Sequence, residues 1–144
     1  MTLTAELASR GLSMTLGVVL FLAVTVSLMR TVIVPRPLRS LYTDAVMWLI
    51  ISVVQVIARA RRSFIARDSA LAWIGPILIL GLLIAWLFGF LVAYGLMLYG
   101  VGGKGLGDSM RESGSSLFTL GFAGSDTENQ TVIDFIAAAT GPIV

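Results

Sequence analysis

From Ala70 to Gly102 the chain carries no charged residue at all: ALAWIGPILILGLLIAWLFGFLVAYGLMLYGVG. About 20 apolar residues suffice to carry a helix across a hydrocarbon core about 30 Å thick, so this run is more than long enough to span one. Its excess length has to be absorbed by tilt, by extension beyond the core, or by a bend near Gly75 and Pro76. Trp73, Tyr94 and Tyr99 lie towards its ends, where amphipathic rings favour the interface. Gly81, Ala85 and Gly89 recur at every fourth position. That spacing lets a second helix approach closely, although glycine is also common in membrane helices without such a role.

Composition points the same way. The 144 residues are 57% hydrophobic and 12% charged, against about 45 to 50% apolar and about 25% charged in soluble domains. The fold class is therefore an all-α membrane protein, with the lipid bilayer as its first partner. There is no Cys and no His, which removes disulfides, thiol nucleophiles, zinc sites and imidazole acid–base chemistry. Acids such as Asp44, Asp68 and Asp134 are scattered singly, so no reactive constellation is legible. The expectation is a protein that is not an enzyme, with no cofactor and no small-molecule substrate. The formal charge of +2 does not indicate nucleic acid, because the basic residues flank apolar segments, as membrane proteins place them.

Residues 1–40 are expected to hold a first transmembrane helix, the apolar run from Leu12 to Val34 broken only by Arg30. A cleaved signal would have a shorter apolar core, a positive start and a small-residue cleavage site, whereas here Arg10 stands alone and RTVIVPRPLR follows. Pro35 and Pro37 stop the helix. Residues 41–67 follow a different period. At about 100° per residue, Val46, Leu49, Ile50, Val53, Ile57 and Phe64 share one face, while Asp44, Ser52, Gln55, Arg59 and Arg62 gather on the other. Basic residues sit at both ends of this segment, so crossing would place positive clusters on both sides of the membrane; an amphipathic helix lying in the cytoplasmic interface avoids that. A short second span whose polar stripe faces other helices is the alternative.

Residues 68–144 form the remaining unit. It comprises the uncharged outer helix 70–102, a glycine-rich turn, a short helix 108–118 with Asp108 as candidate N-cap, and an apolar segment 131–144. That last segment stops at Val144 after too few residues to cross. It is read as the start of a returning helix, apparently truncated, with a re-entrant or interfacial tail as the alternative. Arg36, Arg39, Arg59, Arg61, Arg62 and Arg67 lie between the two spans, which places residues 36–67 on the cytoplasmic side of the plasma membrane. Lys104 and Arg111 stand against Asp108, Glu112, Asp126, Glu128 and Asp134, which places residues 103–130 outside.

Between the short helix and the returning one lies SSLFTLGFAGSD, Ser115 to Asp126. Its TLGFAG resembles the potassium-channel signature T-V-G-Y-G: Thr119 stands for the threonine, Leu120 for the valine, Gly121 for the first glycine and Phe122 for the tyrosine. A span, a short helix, a glycine-containing stretch and a returning span together resemble the two-helix unit of pore-loop cation channels. The resemblance implies a re-entrant pore helix and a filter of residues Thr119, Leu120, Gly121, Phe122, Ala123 and Gly124 in a homo-tetramer. In that family four loops turn their carbonyls to a shared axis and replace an ion's hydration shell. The carbonyls of Thr119, Leu120, Gly121 and Phe122 would then hold a monovalent cation, potassium or sodium, as permeant ion. It also implies an outer mouth at Asp126 and Glu128, a bend at Gly141 and Pro142 in the inner helix, and a place for the amphipathic helix like that of the slide helix in inward rectifiers. Ala123 stands where the family has its second glycine, Gly124 comes one residue late, and Phe118 replaces a small hydroxyl residue. These departures bear on ion preference more than on architecture. The competing function is a non-conducting membrane anchor, scaffold or accessory subunit in which the same phrase is a glycine-rich connector.

Overall fold

The computed structural model describes residues 2–32, 41–60, 74–102, 104–124 and 127–144. Five helices succeed one another: α1 (Thr2–Val32), α2 (Leu41–Ala60), α3 (Ile74–Val101), α4 (Leu106–Leu117) and α5 (Glu128–Thr140), which closes in a 3₁₀ turn, Gly141–Ile143. There is no strand among the described residues. Within α1 and α3, the stretches Glu6–Val32 and Gly75–Val101 are long enough and apolar enough to cross a membrane. The apolar part of α2, Tyr42–Val53, is shorter than a crossing needs. Arg36, Arg39, Arg61, Arg62 and Arg67, on which the expected orientation rests, lie outside the described residues, as do Phe64, Trp73 and Asp126. The described residues form two compact units, Met1–Thr25 with Leu87–Val144, and Val26–Trp86.

The unit Val26–Trp86 is tied by hydroxyls. Ser27 and Thr43, both buried, share a hydrogen bond of 2.7 Å, Thr31 reaches Thr43 at 3.2 Å, and the indole of Trp86 donates to Ser27 Oγ at 3.3 Å. Hydroxyl bonds and close packing of this kind hold helices together where apolar burial drives little, as within a bilayer. Tyr42 donates its hydroxyl to the Ala85 carbonyl, and a Cβ on Gly81 would fall 2.6 Å from Ile50 Cδ1. Two of the three small residues noted in the sequence thus lie where α2 meets α3. On the expected apolar face of α2, Val46 and Ile50 are half-buried while Leu49 and Val53 stay exposed.

In the other unit, α1 runs antiparallel to α3. Glycines make this approach close: Gly17 lies against Ala93 and Met97, and Gly100 against Met14 and the Arg10 carbonyl. Phe21, Phe90 and Tyr94 cluster with ring centroids 5.5 to 6.2 Å apart, tilted or stacked geometries worth about 0.5–1.5 kcal/mol per pair beyond the area they bury. Arg10 bonds the Gly102 carbonyl and lies 5.8 Å from the Tyr99 ring centroid. After the turn, α4 also runs antiparallel to α3, with Met110 beside Gly95 and Ser113 Oγ donating to the Leu91 carbonyl at 2.8 Å. So does α5, whose Gln130 lies beside Gly102 and whose Thr140 shares a 2.7 Å hydrogen bond with Tyr94. Two helices antiparallel to the same third helix are parallel to each other. Residues 118–124 accordingly lead back along α4, and the Gly124 carbonyl meets Lys104 near the level where α4 began.

Two boundaries differ from expectation. The short helix begins at Leu106, capped by Gly105 in an extended conformation, and Asp108 sits in the first turn without bonding a backbone amide as a cap. Its charge still complements the helix N-terminus, where unsatisfied amides concentrate positive potential. The last helix begins at Glu128 rather than 131, because Thr127 and Gln130 close a capping box: Gln130 N donates to Thr127 Oγ1 and Thr127 N to Gln130 Oε1. That reciprocal pair satisfies two otherwise orphaned donors.

Candidate functional site

The filter residues expected from the sequence, Thr119 to Gly124, occupy the return segment. Their conformation is dictated by one serine. Ser115, fully buried near the end of α4, accepts at its hydroxyl from the amides of both Phe122 and Ala123, each at 3.0 Å, and its own proton faces the Ala123 carbonyl at 3.4 Å. Its main-chain carbonyl accepts from Leu120 N at 2.8 Å, while Thr119 N donates to Ser116 O at 3.0 Å. Thr119 and Gly121 alternate into the left-handed region, φ 53° and 70°, the conformation that glycine takes freely and that costs another L-residue about 1–2 kcal/mol.

The direction of the carbonyls follows. All described peptides are trans, and in a planar trans unit the N–H and C=O point opposite ways. With the amides of Leu120, Phe122 and Ala123 turned into α4, the carbonyls of Thr119, Gly121 and Phe122 are turned away from it. Other polar groups are already committed: Thr119 Oγ1 donates to the Phe118 carbonyl at 2.8 Å, and the Gly124 carbonyl receives Lys104 Nζ at 2.7 Å. Thr119, Leu120, Gly121 and Phe122 are exposed in the single chain, and Arg111 lies 5.4 Å from the Phe122 ring centroid. Such cation–π contacts contribute about 0.5–1 kcal/mol at exposed sites.

A cavity of about 290 Å³ lies between the return segment and α5, lined by Ser116, Thr119, Gly121, Ala123, Thr131 and Asp134 among others. Ser116 Oγ donates to Asp134 Oδ1 at 2.7 Å across its edge. Glu128, expected at the outer mouth, is exposed in the first turn of α5, and Asp126 falls outside the described residues. Gly141 sits at the switch from α to 3₁₀ geometry with Pro142 following, and its backbone is pressed against the Leu117 carbonyl. The expected bend site is therefore also a packing contact between the ends of α4 and α5.

Two residues outside the expected set shape this site. Ser115 is legible only as the start of the motif phrase, and nothing local in the sequence marks it as the anchor of residues seven and eight positions later. Glu112 reads as one more external acid but is 1% exposed. Its Oε2 holds Lys104 Nζ at 2.8 Å, so Lys104 bridges the buried carboxylate to the end of the return segment. No family model, curated protein or solved structure matches the chain.

Proposed function

We propose that the chain is a subunit of a homo-tetrameric pore-loop cation channel in the plasma membrane, with α1 and α3 crossing the bilayer, residues 36–67 inside and residues 103–130 outside. In this role α4 is the re-entrant pore helix and the return segment the filter, and a potassium or sodium ion passes along carbonyl oxygens. One observation carries the proposal: the amides of Leu120, Phe122 and Ala123 are spent on Ser115 of α4, which leaves the Thr119, Gly121 and Phe122 carbonyls directed away from the helix. An ordinary connector has no need of that division, whereas a cation path requires oxygens on one side. The parallel course of α4 and α5 supports the same assignment, because a pore helix and an inner helix enter the membrane from one side with the filter climbing between them.

Gly121→Ala tests it. A Cβ at this position meets nothing within 4 Å, so the substitution acts only through the left-handed φ, at a cost of about 1–2 kcal/mol. Reconstituted in liposomes, the wild-type chain should pass potassium or sodium and the variant should not, while both insert and assemble alike. Equal flux from the two would refute the carbonyl path. No flux from well-assembled wild-type protein would favour the anchor, scaffold or accessory subunit.

A further inference from the structure

The return segment presents two unlike sides. On one, Ala123 and Gly124 border the cavity shared with α5, where Asp134 and Phe135 stand in the wall. On the other, the same two residues border a second cavity of about 300 Å³, shared with Phe122 and with Asp108, Arg111 and Glu112 of α4. No residue of α5 lines the second cavity, and none of these three α4 residues lines the first. One side therefore offers an acid beside an exposed aromatic ring, the other a base beside an exposed aromatic ring.

Glu112 is paired with Lys104 at 2.8 Å. Arg111 makes no ion pair among the described residues; it is exposed, and its guanidinium lies over the Phe122 ring. Asp134 takes the Ser116 hydroxyl at Oδ1, and α5 has no basic residue of its own. The levels agree as well. Phe122 N bonds Ser115 and Asp134 bonds Ser116, neighbours on α4 about 1.5 Å apart along its axis. Copies related by rotation about an axis along these helices can meet only through groups at one level. Asp108 stands one turn before Arg111, farther from that level.

We propose that neighbouring copies of the chain join head to tail through these two sides, the Arg111 guanidinium and Phe122 ring of one copy seating against Asp134 and Phe135 of the next. This rests on the homo-tetramer proposed above and names its contact. A guanidinium stacks by its face and bonds a carboxylate by its edge, so Arg111 can keep Phe122 while it reaches Asp134. A two-fold contact would set each side against itself, base to base or acid to acid. Pairing the unlike sides is a heterologous contact, the kind from which rings are closed.

The test is thiol cross-linking of full chains in lipid nanodiscs, beside subunit counting by single-molecule photobleaching. The chain has no Cys, so introduced thiols are the only ones. A chain with Phe122→Cys and a second, size-tagged chain with Phe135→Cys should be joined by a short bis-maleimide into a mixed dimer. Arg111→Glu in the first chain, or Asp134→Lys in the second, should abolish that product, and the two changes together should restore it. The link between chains of native charge is a readout that stands even where a charge variant fails to fold. Tetramers that give no mixed dimer, or a yield indifferent to every charge change, would overturn this contact and leave the channel proposal intact. A count of one chain would overturn both. The mixed dimer, from a protein whose wild type passes no ion, would uphold the contact and remove the channel.

Discussion

Ser115→Ala isolates the device that orients the return segment. The change deletes one oxygen, and with it the acceptor of two amide hydrogen bonds at 3.0 Å, from Phe122 and Ala123. Each such bond contributes about 0.5–1.5 kcal/mol net. Phe122 is exposed and Ala123 half-buried, so water can replace the first partner more readily than the second, and the combined cost should be about 2 kcal/mol, or roughly 30-fold in a local equilibrium. Hydrogen exchange on the reconstituted chain reads this directly: the Phe122 and Ala123 amides should exchange roughly 30-fold faster, by the same conversion. Leu120 supplies an internal control, because its amide bonds the main-chain carbonyl of Ser115, which the substitution leaves in place. Ser115→Thr keeps the hydroxyl and should restore protection. Unchanged exchange at Phe122 and Ala123, or equal acceleration at all three amides, would refute the assignment of the serine hydroxyl as their anchor.

Gly141→Ala places a methyl against the Leu117 carbonyl, a backbone neighbour that cannot rotate aside. Overpacking of this kind costs about 1–3 kcal/mol, and thermal unfolding in detergent should show a lowered Tm; an unchanged Tm would mean that the ends of α4 and α5 are not in contact. Thr127→Ala removes the capping box of α5 at a cost of about 1 kcal/mol. Faster exchange of the Gln130 amide should follow, with Thr127→Ser close to wild type, and an unaffected Gln130 amide would exclude the cap.

How far the sequence was legible depends on the range of the interaction concerned. α3 is announced by the absence of charge over its whole length, and nothing distant is needed to read it. The existence of α4 was also readable, between a glycine-rich turn and the filter phrase, but its start was not. Gly105 and Gly107 look like breakers, and the acid at 108 looks like a cap; the chain instead caps with extended Gly105 and uses Asp108 as a first-turn charge. Thr127-x-x-Gln130 carried a recognisable capping signature that is hidden in a run of polar residues ahead of an apolar segment. Ser115 and Glu112 were not readable in kind. One acts because the chain turns back seven residues later. The other is buried on a helix whose buried positions are mostly polar, Ser109, Ser113 and Ser115 beside it, where hydrophobic periodicity has no contrast to report.

Placed at membrane depth, as proposed, the return segment makes a demand that a single chain does not meet. The amides of Leu120, Phe122 and Ala123 are paired with α4, but the carbonyls of Thr119, Gly121 and Phe122 point elsewhere, and Phe118, Leu120, Phe135 and Ile136 are exposed. At membrane depth an unpaired carbonyl facing lipid costs several kcal/mol, so irregular backbone there has to line water or be buried in protein. A ring of copies, as proposed, meets both demands, with carbonyls towards a wet axis and apolar side chains against neighbours and lipid. An anchor escapes the demand only by holding the segment in external water, where every carbonyl is hydrated at no cost. A channel and an anchor built from this chain therefore differ in one physical quantity, the depth at which Gly121 lies.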